Sequence, residues 1–177
     1  MITIKETLRE IKSDFPNGKI NLHLFFSHFL YSPRFRVLLN YRLGKYFYNR
    51  KFFLYKQLGF YFKIKNIVKR NCDISYSAKI GKNLIMPHPF GIVIGDGVII
   101  KDNVMVFQHV TLGSHGKITE EMKYPLINSG VRIYAGAKII GGVNVGKNAI
   151  IGTNSVVNID VPAGTTAVGV PCKIINP

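Results

Sequence analysis

"IYAGAKIIGGVNVGKNAIIGTNSVV", residues 133–157, places an aliphatic side chain at every sixth position: Ile133, Ile139, Val145, Ile151 and Val157. The same step runs back to Ile127 and, across a polar stretch, through Leu112, Val106, Ile100 and Ile94. After a slip of two residues it resumes at Met86, Ile80 and Ile74. Four residues beyond nearly every one of these comes a small or aliphatic residue, from Ala78 to Val161, with Leu84 and Phe90 the larger exceptions. A period of six fits neither an amphipathic helix nor a plain alternating strand. It fits short strands separated by tight turns, with one large and one small inward residue on each side of a coil. Glycine and asparagine fall at the turns, in "IGDG", "IKDN", "VGKN" and "IGTN", where a tight bend or a positive φ is needed. Residues 72–177 therefore predict a mainly-β fold, a parallel β-helix in which each coil is a triangle of three hexads. "GSHGKITEEMKYPL" interrupts the hexads and predicts an external loop at about 113–126.

Residues 1–71 have a different texture. They hold 15 of the 24 Lys and Arg, only 3 of the 9 Asp and Glu, and 16 of the 21 Phe and Tyr, so +12 of the net charge of +15 belongs to them. In "SPRFRVLLNYRLGKYFYNRKFFLYKQLGFYFKIKNIVKR", residues 32–70, aromatic and aliphatic residues recur at three- and four-residue steps among Arg and Lys. This predicts a small α-helical N-terminal region of two or three amphipathic helices.

At 177 residues and 47 % apolar content, the chain is long and apolar enough for one globular core. No apolar run approaches the roughly 20 residues of a membrane span, and the charged start "MITIKETLREIKSDF" does not read as a secretory signal, so a cytoplasmic protein is expected. Cys72 and Cys172 match no metal spacing, which predicts neither a disulfide nor a structural zinc and, with no ligand cluster in sight, no metal at all. No nucleic-acid-binding pattern accompanies the basic charge. Its other reading is peripheral contact with the anionic inner membrane surface, against a merely solvated rim.

"DISYSAKIGKNLIMPHPFGIVIG" (73–95), "VTLG" (110–113), "KYP" (123–125), the opening stretch and "GVPCKII" (169–175) carry a resemblance over about residues 72–177. By these the chain resembles the hexapeptide-repeat acyltransferases, and within them the serine acetyltransferases and their polysaccharide-modifying relatives. The resemblance implies a left-handed β-helix, a homotrimer with active sites in the grooves between subunits, and acetyl-CoA lying along the coils as acetyl donor. His88 matches the family's general base. Pro87 and Pro89 hold it on a stiff extended segment at the two-residue slip. Imidazole suits a base working near neutral pH. The family's carboxylate partner matches Asp73. Motif matching places Ser114, Ala135 and Thr153 along the CoA path, with Lys173 at its phosphates, while His109 lies near the groove, contacting substrate or packing at the subunit interface.

Serine acetyltransferases carry Arg-His-Pro where this chain has Lys123, Tyr124 and Pro125. A lysine cannot fork onto a carboxylate as arginine does, and a tyrosine is a poor base at neutral pH. With Lys123 and Tyr124 as acceptor contacts, and with the short basic region in front, the expected acceptor is a sugar or oligosaccharide of a capsule, lipopolysaccharide or exopolysaccharide precursor. The alternative is serine O-acetylation in cysteine biosynthesis.

Overall fold

The computed structural model describes residues 2–15, 18–116 and 124–175. Among the described residues, fourteen short strands stack in three sheets. The first face holds β1 (Asp73–Ile74), β3 (Val93–Ile94), β6 (Thr111–Gly113), β9 (Lys138–Ile140) and β12 (Val156–Val157). The second holds β2 (Lys79–Ile80), β4 (Ile99–Ile100), β7 (Leu126–Ile127) and β10 (Asn144–Val145). The third holds β5 (Met105–Val106), β8 (Arg132–Ile133), β11 (Ile150–Ile151), β13 (Thr166–Val168) and β14 (Lys173–Ile175). Consecutive strands up to β13 go to different faces, β14 joins β13 on the third, and the described pairings are parallel except β13 with β14. The fold is the expected left-handed parallel β-helix behind a helical N-terminal region.

All thirteen hexad positions are buried, and stacked partners such as Ile94 and Leu112, or Ile139 and Val157, are in register. The small residues beyond them, Ala78, Val98, Ala137 and Ala149 among others, are buried too. Phe90 departs from the pattern. It is 47 % exposed, and Ile92 takes the inward place, because the two-residue slip turns Phe90 out of the coil.

Four helices precede the coils, α1 (Ile4–Ser13), α2 (Leu22–Tyr31), α3 (Pro33–Tyr48) and α4 (Phe53–Arg70), more than the two or three expected. The extra divisions are made by caps. Thr3 and Glu6 form a capping box on α1, Asn21 caps α2, and Ser32 followed by Pro33 starts α3. α4 ends at Asn71 in the left-handed region, φ 50°. Helices α3 and α4 cross at two glycines. A Cβ on Gly59 would lie 2.7 Å from the Tyr48 backbone nitrogen, and one on Gly44 would collide with the Tyr76 hydroxyl, which donates to the Gly59 carbonyl at 2.7 Å. The first coil is thus plugged into the helix crossing.

Arg42 completes the joint. Its guanidinium donates to the carbonyls of Ile80 and Gly81, both at 2.8 Å, and pairs with Asp14 at 3.3 Å, all out of water. Burial pushes the Asp14 carboxyl above its ordinary pKa, with Arg42 opposing the shift. Removing one partner of a buried pair strands the other. Arg42→Ala is therefore expected to lower the unfolding free energy by about 3–5 kcal/mol in urea titrations. The loss should shrink in acid: a carboxyl whose folded pKa lies above its unfolded one adds stability at low pH, and that stability is lost as pH rises through the folded pKa.

Candidate active site

The triangular cross-section has three edges, and the turns of successive coils stack along each. On the edge that leads into the first face, Gly91 donates to the Arg70 carbonyl, His109 to Phe90, Gly136 to Gln108 and Asn154 to Ala135, at 2.9 to 3.3 Å. This one column therefore collects the turns that bear His88, His109, Ala135 and Thr153, and Asp73 starts the strand that follows its lowest turn. Ser114 and Tyr124 are placed on the next edge, after the first face. Lys173 is exposed on β14. Lys123 lies outside the described residues, as does the centre of the predicted loop.

His88 is exposed on a turn closed by a hydrogen bond from the Phe90 N–H to the His88 carbonyl, 2.8 Å, a γ-turn centred on Pro89. Its ring meets Phe107 one coil on, with centroids 6.4 Å apart, and Phe107 stacks on Tyr134 at 5.1 Å and 17°. This aromatic ladder supports the imidazole from one side and leaves the other open. Among the described residues no hydrogen bond joins His88 to Asp73. The Asp73 carboxylate instead lies 3.1 Å from the Lys63 ammonium of α4, with half its side chain exposed.

His109 has a left-handed backbone, φ 58°, and its ring packs edge-on to Phe90 at 5.5 Å, directly over Gly91. Only glycine leaves that space: a Cβ on Gly91 would strike the His109 ring. The His109 carbonyl accepts from Lys138 Nζ at 2.6 Å. Tyr124 covers the Gly95–Gly97 turn, where a Cβ on Gly97 would come within 2.6 Å of its ring.

Beside Tyr124 stands a group that the motifs did not reveal. Asp96 accepts hydrogen bonds from the hydroxyls of Ser75 and Ser77, the latter at 2.8 Å, and the three residues line a cleft of about 420 Å³ with Lys63 of α4. "IGDG" reads as a turn, and only the coil-to-coil stacking brings its aspartate onto "DISYS". The Ser75 bond, then that of Ser77, hold the Asp96 carboxyl below its ordinary pKa. Ser75→Ala is expected to move its titration upward, toward the usual carboxylate range, in carboxyl-carbon NMR; an unmoved titration would mean the hydroxyls do not stabilise the anion.

No family model matches the chain. It is 37 % identical over 173 residues to a serine acetyltransferase of Buchnera aphidicola subsp. Schizaphis graminum, covering 98 % of this chain and 65 % of that protein. A solved structure of truncated serine acetyltransferase apoenzyme is 36 % identical with a TM-score of 0.78, covering 96 % of this chain and 68 % of that one. A serine acetyltransferase structure in complex with CoA is 34 % identical with a TM-score of 0.75 over 96 % and 68 % of the two chains. The chain spans about half to two thirds of the length of the curated relatives it matches. These findings overturn the expected sugar acceptor and the closeness to polysaccharide-modifying enzymes: the likeness is to serine acetyltransferases and runs through the helical region as well as the coils. The departure at residues 123–124 is local, and the likeness takes in the N-terminal third as well.

Proposed function

The chain belongs to the serine acetyltransferase family, and we propose on that premise that it is an acetyl-CoA-dependent acyltransferase whose acceptor is the hydroxyl of serine. The observation that carries the reading is the single edge that gathers the turns of His88, His109, Ala135 and Thr153 beside Asp73, in a chain like a serine acetyltransferase structure with bound CoA.

His88 takes the proton of the serine hydroxyl as its oxygen forms a bond to the thioester carbonyl carbon. The tetrahedral adduct then breaks its carbon–sulfur bond, and the imidazolium returns the proton to the departing CoA sulfur. An exposed imidazole on a proline-stiffened turn, backed by the Phe107–Tyr134 ladder, suits that task. Asp73 acts on charge rather than as a bonded partner in the single chain, and Lys63 beside it moderates that charge. CoA follows the column of small residues, Ala135 and Thr153, with Lys173 available to its phosphates. Acetyl-CoA as donor fits a cytoplasmic protein.

A homotrimer supplies what one copy lacks. Tyr124 and Ser114 stand on a different edge from His88, so a groove holding both edges needs a neighbouring subunit. There Tyr124 offers a hydroxyl donor to the acceptor and Lys123 attracts its carboxylate.

Purified protein given acetyl-CoA and L-serine is expected to release CoA thiol and form O-acetylserine; release no faster than with buffer alone would overturn the reading. His88→Ala should lower kcat by roughly 10²- to 10⁴-fold with little change in acetyl-CoA affinity. Light scattering should give three times the 19.9 kDa chain mass.

A further inference from the structure

Helix α2, "LHLFFSHFLY", buries none of its residues. Leu22, Phe26, Phe29 and Leu30 recur at steps of four, three and one, so they share a face, and they are 75, 53, 39 and 57 % exposed. Scattered surface apolar residues need no explanation, but a whole apolar helix face open to water does.

The surroundings say what could cover it. Between Phe15 and Cys72 the sequence has twelve Lys and Arg and no Asp or Glu. Several of the twelve are committed: Arg42 to Asp14, Lys63 to Asp73, Arg34 to the Leu84 carbonyl. Four others, Arg36, Lys65, Lys69 and Arg70, line a pocket of about 350 Å³ beside Phe29 and Leu30, with no carboxylate in its lining. Arg36 donates one guanidinium N–H to the Leu30 carbonyl at 3.2 Å, while its Nε is out of water with no acceptor among the described residues. A buried guanidinium donor lacking a partner is a place for a phosphate oxygen. On α4, next to these cations, Val68 is 72 % exposed. A second copy docking through its own α2 would bring the same positive charge to this face. An anionic bilayer brings phosphates to the pocket and hydrocarbon to α2.

We propose that α2 and the Arg36–Lys65–Lys69–Arg70 pocket form a docking surface for an anionic phospholipid bilayer, with the apolar face of α2 in the headgroup–acyl boundary and lipid phosphates in the pocket. No described helix is long and apolar enough to cross a membrane, so the contact is peripheral. Each Lys or Arg near an anionic surface strengthens binding several-fold, and salt weakens it.

The test is sedimentation of the full chain with vesicles, without acetyl-CoA or serine, so that its outcome is separate from that of the acetyl-transfer assay. Binding is expected to vesicles of phosphatidylethanolamine with phosphatidylglycerol, to fall with rising salt, and to be weak on phosphatidylcholine alone. Lys65→Ala with Lys69→Ala should weaken it on the order of 30-fold. Phe26→Ser with Leu30→Ser should abolish it while circular dichroism and the melting temperature stay at the parent values, both side chains being exposed. Absence of binding to either vesicle overturns the proposal, and so does equal, salt-independent binding to both. A drop in oligomer mass for the Phe26, Leu30 variant without vesicles also overturns it, since a second copy would then be what covers α2.

Discussion

Each face of each coil must bury one large aliphatic side chain in a shaft shared by all three faces, and everything else in the molecule is arranged around that demand. A step of six residues satisfies it only if three strands and three turns close a triangle, so stacked residues stand eighteen apart in a regular coil, as Ile94 and Leu112 do. Turns then line up as strictly as strands. The column that carries His88 and His109 is a product of core packing before it is a product of chemistry: the shaft sets the height of each turn, and the turn's backbone hydrogen bond to the coil below sets where its side chain starts.

The irregularities are where the candidate site residues gather. The two extra residues between Met86 and Ile94 eject Phe90 and allow the proline-flanked turn that holds His88 out of the coil. The insertion between Leu112 and Ile127 brings Tyr124 back over the Gly95–Gly97 turn. Neither could be accommodated inside the shaft without leaving a hole or an overpacked layer. The first is carried at an edge, where the added backbone can reach solvent.

The coils were legible in the sequence because burial repeats: every hexad position proved buried, and the exception at Phe90 fell at the slip that the spacing had marked. The helices were less so. In α3 and α4 the apolar residues are spread around much of the circumference, and the divisions between the helices rest on single caps such as Asn21 and Ser32 rather than on periodicity. Within the candidate site, the two prolines marked the turn that carries His88, but the surroundings of His88 and Asp73 could not be read. The Lys63–Asp73 and Ser75–Asp96 contacts join residues 10 and 21 apart through packing that no local pattern encodes. The sugar acceptor expected from Lys123 and Tyr124 is overturned because two residues of a loop are a local signal, whereas the likeness to serine acetyltransferases extends over nearly the whole chain.

Stacked parallel coils have no intrinsic end, since each last layer offers unpaired amides and carbonyls to whatever strand arrives next. At the far end from the helices, β14 turns back and pairs antiparallel with β13, Thr166 to Ile175 and Val168 to Lys173. The rung thereby presented has the wrong polarity for another parallel coil, and Lys173 adds a charge to it. Among the described strands the third face thus closes on an antiparallel rung, which discourages a further strand from adding there in parallel.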